Sequence, residues 1–592
     1  LKATSAPDIG LLLAGSACLL PFLIPYHQQP ILSFYPEWLA VALGTAASAA
    51  LLASRNFART AALPGPALWL AGLALFFVLL AAFGDQAYPQ SALLAALYVL
   101  YAALMIQLGA QLVAAHGVGR VAIVLASFVL AAALANAVAG VVQFYGRPRW
   151  FEDVIAQLRG GRAYGNIAQA NLYTNFLALG QAALVFLWLR LRLRTGYAVA
   201  ALALLVVASA LSGGRGALLY AVWFALSGVM TAKLIANSDG KRLRRAAGLV
   251  AAAIVAAQIV VPWLNSNLHF GPAGESALQR IGATAEGGFE PRLPVFLLAL
   301  RIFAAAPIAG TGVGEFAGAV FDLGLGPALT GIGEVWTSPH NLPLQLLAET
   351  GLIGALLVFG ALCAWVIGLA RRYRAEASPA LWWIIAAAGV ELIHSLIEFP
   401  LWSAHFLGLT ALLIGTSAAP RTRSAGSARA ARIAGLASCV ALCVGLTLTL
   451  RDYVRLDIAR ATGTAPTLAP SAQVQRDSAT MQALRGGLLS PVAELWIFVG
   501  TPLDRQNLSD KLAMAERVAR IWPANIVIVR RAIFLAFAGR SDEARTLMNK
   551  AIRSFPQRRK DTVSMLSQAL DRDPKAIAPL LMAVRNSGDE NP

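Results

Sequence analysis

Apolar residues run along this chain in long stretches that polar side chains rarely interrupt. They lie at 9–26, 37–53, 67–83, 91–114, 121–144, 167–189, 196–212, 216–232, 246–264, 343–370, 380–398, 401–418 and 433–450. A helix must offer about 20 apolar residues to cross the hydrocarbon core of a bilayer, so the pattern predicts about 13 transmembrane helices. Many of the runs are rich in Ala and Gly, which lets helices approach closely in lipid. After residue 450 charged positions multiply and apolar ones recur at helical spacing. The predicted fold class is all-α. A polytopic transmembrane domain is expected over 1–450, with outer loops at 145–166 and 265–342, and a soluble helical domain over 451–592.

Within the second domain, residues 515–553 predict an antiparallel helix pair. Ala532, Leu535, Ala536 and Gly539 precede the run Ala544-Arg545-Thr546-Leu547, and Pro556 follows. The spacing resembles a tetratricopeptide-like unit. An ordinary helical hairpin is the alternative, because a single copy is not a repeat.

Composition narrows the class. Of 592 residues, 58% are hydrophobic and 13% charged. Soluble chains carry about a quarter charged residues, which argues against a water-soluble enzyme. Disordered chains are poor in apolar residues, which excludes that class too. The net charge of +18 invites a nucleic-acid partner. Its distribution excludes one, since the basic residues cluster between apolar runs as they do in cytoplasmic loops of membrane proteins. Cys18, Cys363, Cys439 and Cys443 all lie inside apolar runs, with no CxxC pair, zinc cluster or disulfide framework. The first run lacks a cleavage site directly after it and is expected to be a retained span.

The basic clusters also orient the spans. Arg190, Arg192 and Arg194 follow the sixth run, and Lys241, Arg242, Arg244 and Arg245 precede the ninth. Arg371, Arg372 and Arg374 follow the tenth, and Arg421, Arg423, Arg429 and Arg432 precede the last. With a cytoplasmic N-terminus all four fall on the cytoplasmic side, together with Arg55, Arg59 and Arg120. The outer side then receives 145–166, the turn around Arg215, 265–342 and everything after 450.

Candidate chemistry gathers on that outer side. Ser338-Pro339-His340-Asn341-Leu342-Pro343 leads into an apolar helix carrying Glu349, Gly351 and Gly354. Pro343 suits a first helical turn, which places His340 just outside a helix N-terminus. Free N–H groups and the helix dipole favour an anion there. Glu349 is expected about 13 Å deeper, where a carboxylate needs a partner. Arg215 sits in the glycine turn Ser212-Gly213-Gly214-Arg215-Gly216. Arg292 begins a run that leads to Pro307, Gly310, Gly312, Gly314 and Glu315, and a further loop spans Arg162 to Asn171. Each piece alone has a structural reading: an interface arginine, turn glycines, a solvated loop histidine. The three glycines do not form a dinucleotide loop, because no strand–helix–strand unit surrounds them.

The His-Asn-x-x-Leu…Glu-x-Gly-x-x-Gly pattern from His340 to Gly354 resembles the signature of the O-antigen ligase and polymerase superfamily, and 292–316 resembles the segment before it. Gly165-Asn166-x-x-Gln169-x-Asn171 is similar to the Gly-Asn-x-x-Gln-Pro-Asn motif of bacterial protein O-oligosaccharyltransferases, as is Glu398-Phe399-Pro400-Leu401-Trp402 to theirs. Two positions depart. Ala170 replaces the usual proline, which should loosen that turn, and Phe399 replaces a common tyrosine, so no hydroxyl role carries over.

The resemblance implies His340 as the essential histidine. It implies Arg215 and Arg292 as diphosphate contacts, with Arg301 and Arg162 next in line. Gln169 and Asn171 would line the reaction site, with Asn166, Asn341, Glu349 and Glu398 assigned to the glycan or acceptor. The implied partners are an undecaprenyl-diphosphate-linked glycan, an acceptor protein (a pilin-like one among the candidates) and the lipid bilayer. The implied location is a bacterial inner membrane with the active site and C-terminal domain in the periplasm. No cofactor is expected. No Asp-x-Asp cluster for magnesium occurs in the outer loops, and arginine forks suit phosphate oxygens. His340 is either a general base or a diphosphate ligand. His394 is expected to share a helix face with Glu391 and Glu398. His405 is similar, while His27, His116 and His269 carry no partner signal.

Glycan transfer to a protein hydroxyl is the leading expectation, with O-antigen ligation to lipid A core or glycan polymerisation as alternatives. The tail favours a protein acceptor, since tetratricopeptide-like surfaces bind extended peptides. A lipid-linked glycan transporter would explain the many spans. It should instead hold ionisable groups near the midplane, often in paired repeats, and no internal repeat is visible. A structural scaffold for envelope assembly is a third option. Every version of the transferase requires that the imidazole and the arginines face one extracytoplasmic cavity.

Overall fold

Proline and glycine decide where the apolar runs become helices. The structure, a computed structural model, describes residues 5–53, 63–146, 149–235, 237–268, 277–280, 292–324, 335–418, 425–461 and 484–586. The predicted span 9–26 is a helix Ala6–Ala17 followed by a 3-10 turn Leu20–Leu23. Pro21 lacks the N–H that would reach Ala17, and its ring crowds that carbonyl, so the α-helix stops there. Run 380–398 is also shortened. Its helix Pro379–His394 starts at Ser378, whose hydroxyl accepts the Leu381 N–H at 3.4 Å, and ends before Glu398. Pro400 disfavours helical backbone at the residue before it. Runs 91–114 and 121–144 lie on one element, Pro89–Tyr145, broken at Gly117 with φ 76°.

No strand occurs among the described residues, so the observed class is all-α. Eight helices among them are long and apolar enough to cross a membrane, and the protein is a multi-pass membrane protein. Four further predicted runs fall on apolar helices of 14 to 17 residues: Thr195–Leu211, Gly216–Ala232, Pro379–His394 and Ala404–Ser417. By length these fall short of the about 20 residues a span requires. Arg55, Arg59, Arg421, Arg423 and His269 lie outside the described residues, as does much of the predicted outer loop 265–342.

The chain forms two compact units, each discontinuous in sequence. One comprises 1–73, 97–288 and 357–446. Its interior is filled by Trp382, Trp383, Tyr173, Phe176, Phe186 and Phe406, all fully buried. Small residues let its backbones touch: a Cβ on Gly415 would lie 2.1 Å from the Ile106 carbonyl oxygen. A Cβ on Gly109 would lie 2.5 Å from that of Leu412. This is the close helix approach that Ala- and Gly-rich spans permit.

The other unit comprises 74–96, 289–356 and 447–592. Its helices Ser490–Gly500, Leu508–Ile521, Asn525–Phe537, Ser541–Ser554, Arg559–Leu570 and Pro574–Asn586 share a core around Phe498, Val518, Ile533, Phe534, Met548 and Leu566. The helix pair predicted over 515–553 therefore needs correcting. Residues 515–521 belong to an earlier helix, and the pair itself is Asn525–Phe537 with Ser541–Ser554. Gly539, at φ 77°, ends the first of these, and the Arg540 N–H turns back to the Leu535 carbonyl at 2.9 Å.

Candidate functional site

In the first unit the candidate residues meet around two turns. Gly165 and Ala168 both adopt positive φ (52° and 60°), which tightens the loop before the helix Ala170–Leu191. Gln169 caps that helix, its side-chain oxygen accepting the Leu172 N–H. Ala170 follows the cap. The helix begins at that residue, where proline would also fit, and the Gln169 carbonyl already accepts from Tyr173 N–H at 2.9 Å.

Asn166 has a different place from the one expected. Its Oδ1 accepts from Ala156 N–H at 2.9 Å, and its Nδ2 donates to the carbonyls of Leu23 and Val154 at 2.9 and 2.8 Å. Its own N–H meets Asn136 Oδ1 at 3.0 Å. The side chain is buried and all its amide groups are engaged, so it knots three segments together rather than facing a ligand. His27, which showed no partner signal in sequence, joins this knot through Nε2 and the Asn166 carbonyl oxygen, 2.8 Å apart.

Asn171 is where separate elements converge. Its Oδ1 accepts from Arg162 Nη2 at 2.8 Å, and its Nδ2 donates to Glu398 Oε1 at 2.7 Å. Arg162 also donates through Nε to the Ser212 carbonyl at 2.6 Å. The second turn follows the end of the helix Thr195–Leu211, where carbonyls and the dipole attract cations. Arg280 donates to the next carbonyl, Gly213, at 3.0 Å. Arg215 occupies the N-cap of the helix Gly216–Ala232. Two guanidinium groups thus bond to the turn whose backbone includes Arg215. Arg280 was missed in the sequence because nothing in its local pattern marks it.

Gly214 is required there by close contact: a Cβ would lie 2.2 Å from Thr174 Oγ1. Glu398 stands in the turn beyond His394, its N–H donating to the His394 carbonyl at 2.8 Å. The three-residue helix face predicted for Glu391, His394 and Glu398 therefore ends at His394. His394 Nδ1 instead lies 2.5 Å from the Tyr220 hydroxyl. His405 packs edge-on against Phe22, with ring centroids 5.0 Å apart.

In the second unit the signature residues surround a broken helix. Asn341 caps Leu342–Glu376, its Oδ1 accepting from Leu344 N–H at 3.0 Å. His340 precedes the cap at φ 49°, half-buried, with its N–H on Ser338 Oγ at 3.1 Å. Its ring stands edge-on to Trp336 at 5.5 Å, a neighbour that sequence did not single out. Gly351 breaks the helix with φ 60° and ψ −160°.

At that break the helix trades its own bonds for bonds to the glycine loop. Leu352 and Ile353 N–H donate to the Pro307 and Ile308 carbonyls at 2.8 and 3.2 Å. The Ala348 and Glu349 carbonyls accept from Thr311 and Gly312 N–H at 3.0 and 3.1 Å. Two intrahelical pairs become four loop pairs, so the four backbone groups freed at the break each keep a partner. Gly310 permits this approach, since a Cβ there would lie 2.2 Å from the Glu349 carbonyl carbon. The Glu349 side chain, also buried, accepts from Phe316 N–H at 3.4 Å, at the start of the helix Phe316–Asp322. The deep carboxylate expected to need a partner finds it in that backbone.

Arg292 opens the helix Arg292–Ala305, whose buried face is Val295, Leu298, Ala299 and Ile302. Arg301 is exposed, nine residues on. At about 100° per residue the two arginines lie on opposite sides of the helix, so they do not reach one phosphate from a common face.

Comparison with known proteins bears on both units. Residues 200–359 match the family model described as O-antigen ligase. Residues 382–569 match that described as virulence factor membrane-bound polymerase, C-terminal. The general O-oligosaccharyltransferase of Acinetobacter baylyi (strain ATCC 33305 / BD413 / ADP1) is 27% identical over 414 residues, which cover 68% of this chain and 69% of that protein. The ligase match contains Arg215, Arg292, Arg301, His340, Asn341 and Glu349, and the polymerase match contains Glu398.

Proposed function

Because the chain belongs to the O-antigen ligase superfamily and is most like the protein O-oligosaccharyltransferases, we propose that it transfers a preassembled glycan from undecaprenyl diphosphate to a serine or threonine hydroxyl of an acceptor protein, on the periplasmic side of a bacterial inner membrane. Glycan transfer by a ligase-like enzyme rests on the family match. The protein acceptor rests on the name of the Acinetobacter relative and on the helical C-terminal segment.

In this reading the acceptor oxygen attacks the anomeric carbon as the bond to the diphosphate oxygen breaks. The acceptor proton passes to a base, and negative charge grows on the departing polyprenyl diphosphate. His340 takes the proton, or alternatively holds a phosphate oxygen. Arg215 and Arg292 stabilise the diphosphate, and Gln169, Asn171 and Glu398 orient sugar or acceptor. The observation that carries the reading is the turn 212–215, where Arg162 and Arg280 both donate to backbone carbonyls beside Arg215. Forked, permanently charged donors at one turn suit a diphosphate.

The test is transfer in membranes holding this protein, a lipid-linked glycan and a serine-bearing acceptor protein. Glycoprotein is the expected product. Glycan appearing only on lipopolysaccharide or as longer polymer would reassign the acceptor, and flux of lipid-linked glycan without transfer would reassign the class. Replacing Arg215 with Ala should cost about 10²–10³ in rate, as for other donors aimed at developing negative charge. Arg215→Lys, which keeps charge and loses the fork, should recover only part of it.

A further inference from the structure

The second unit contains a junction that the transfer chemistry does not use. Arg520, at the end of the helix Leu508–Ile521, donates through Nε to Glu315 Oε2 at 2.7 Å. Its other nitrogens reach Asp85 Oδ1 at 3.1 Å and the Asp85 carbonyl at 2.7 Å. Glu315 is 4% exposed, and its second oxygen accepts from Ala87 N–H at 2.7 Å. A Cβ on Gly318 would lie 2.2 Å from the Arg520 carbonyl oxygen, so the backbones themselves are in contact. A buried carboxylate held by two donors is a fixed point, because releasing either leaves charge or a polar group without compensation.

That fixed point belongs to the glycine loop. Glu315 N–H bonds to the Gly312 carbonyl at 3.2 Å, and Gly312 N–H bonds to the Glu349 carbonyl at 3.1 Å. Glu349 lies two residues before the break at Gly351. The helical segment from Leu342 to that break is a rigid rod of about 13 Å at 1.5 Å per residue. Asn341 and His340 stand at its far end, so its inner end is gripped by a loop whose anchor is Arg520.

We propose that Arg520 is a positioning residue for glycan transfer: by fixing Glu315 it holds the loop 310–316 against the helix break and so sets where the segment carrying His340 points. The C-terminal helices are then part of the transfer apparatus, beyond any service as an acceptor-binding surface. The inference rests on the proposed role of His340 for its effect on turnover, and on geometry alone for its effect on the loop.

The experiment uses the full-length protein in detergent or nanodiscs, with Arg520→Ala and the shorter but less truncated neutral Arg520→Gln. Hydrogen exchange at the 311–316 amides should speed at least tenfold in both variants, while protection in Asn525–Phe537 and Ala170–Leu191 stays at the wild-type level. Turnover per folded molecule, with the folded fraction read from protection in Asn525–Phe537 and Ala170–Leu191, should fall at least tenfold with the donor KM changed by less than threefold; a fall that vanishes on that normalisation overturns the proposal. Should Arg520→Ala unfold the unit, Arg520→Gln decides. Unchanged exchange at 311–316 in the folded variant overturns the proposal. So does accelerated exchange with turnover intact. If the wild-type protein transfers no glycan at all, the proposed function fails, and exchange still decides whether Arg520 holds the loop.

Discussion

Asn171 and Glu398, 227 residues apart in sequence, are joined by a hydrogen bond of 2.7 Å in which the amide donates to the carboxylate. Arg162 donates to the same amide from the other side, at 2.8 Å. The asparagine is thereby oriented twice, its oxygen toward a cation and its nitrogen toward an anion. A hydrogen bond to a charged group is worth about 1.5–3 kcal/mol, and about 1.4 kcal/mol is tenfold in rate. Asn171→Ala should therefore lower kcat/KM by roughly ten- to a hundredfold. Asn171→Asp, which sets a second carboxylate beside Glu398, should be worse. Initial rates with purified donor would check both, and wild-type rates in Asn171→Ala would remove this residue from the site.

His340 separates chemistry from backbone strain. Its φ of 49° is tolerated by asparagine better than by alanine. His340→Asn should keep the wild-type melting temperature and donor binding. His340→Asn and His340→Ala should both lose about 10²–10⁴ in turnover if the imidazole acts as a general base. An active His340→Asn enzyme would exclude the imidazole from catalysis.

The helix break should resist substitution more than a positive-φ glycine that stands in open space. A Cβ on Gly351 would lie 2.4 Å from the Ile308 carbonyl oxygen, at a φ of 60°. Backbone strain of that kind costs of order 1–3 kcal/mol before the clash is counted. Gly351→Ala should lower the melting temperature in detergent by several degrees. Gly117→Ala, which has the same sign of φ with nothing within 4 Å, should lower it less.

Asp573 gives the C-terminal helices an acid sensitivity. The Ala576 N–H and the Arg505 guanidinium hold its carboxyl below the ordinary aspartate value of 3.8. A pKa depressed in the folded state stabilises the fold above the unfolded value, and that contribution is lost as pH falls through the folded one. Exchange protection in Pro574–Asn586 should therefore weaken below about pH 4. Asp573→Asn should weaken it at neutral pH and flatten the dependence. Identical pH profiles for the two proteins would refute the assignment.

What local sequence determined follows from interactions that are themselves local. Apolar runs long enough to enter lipid specified helices, and Pro343 marked a helix start that the structure has, because the first turn depends on neighbours in the chain. Pro21 could have corrected the first span in the same way, by its missing N–H. The motif residues around His340, Arg215 and Asn171 were legible as residue types.

What they touch was not. The partner of Asn171 is 227 residues away and that of Glu315 is 205, so no window of sequence contains either pair. Asn166 and Asn171 look equivalent in the motif. Only packing made the first a buried knot among Leu23, Val154 and Ala156, and left the second between opposite charges. The glycines 310, 312 and 314 read as turns in sequence. Tertiary structure gave the loop a surface to fit, since a helix broken at Gly351 exposes carbonyls and N–H groups that the backbone from Pro307 to Gly312 satisfies, and the missing Cβ of Gly310 allows that close approach.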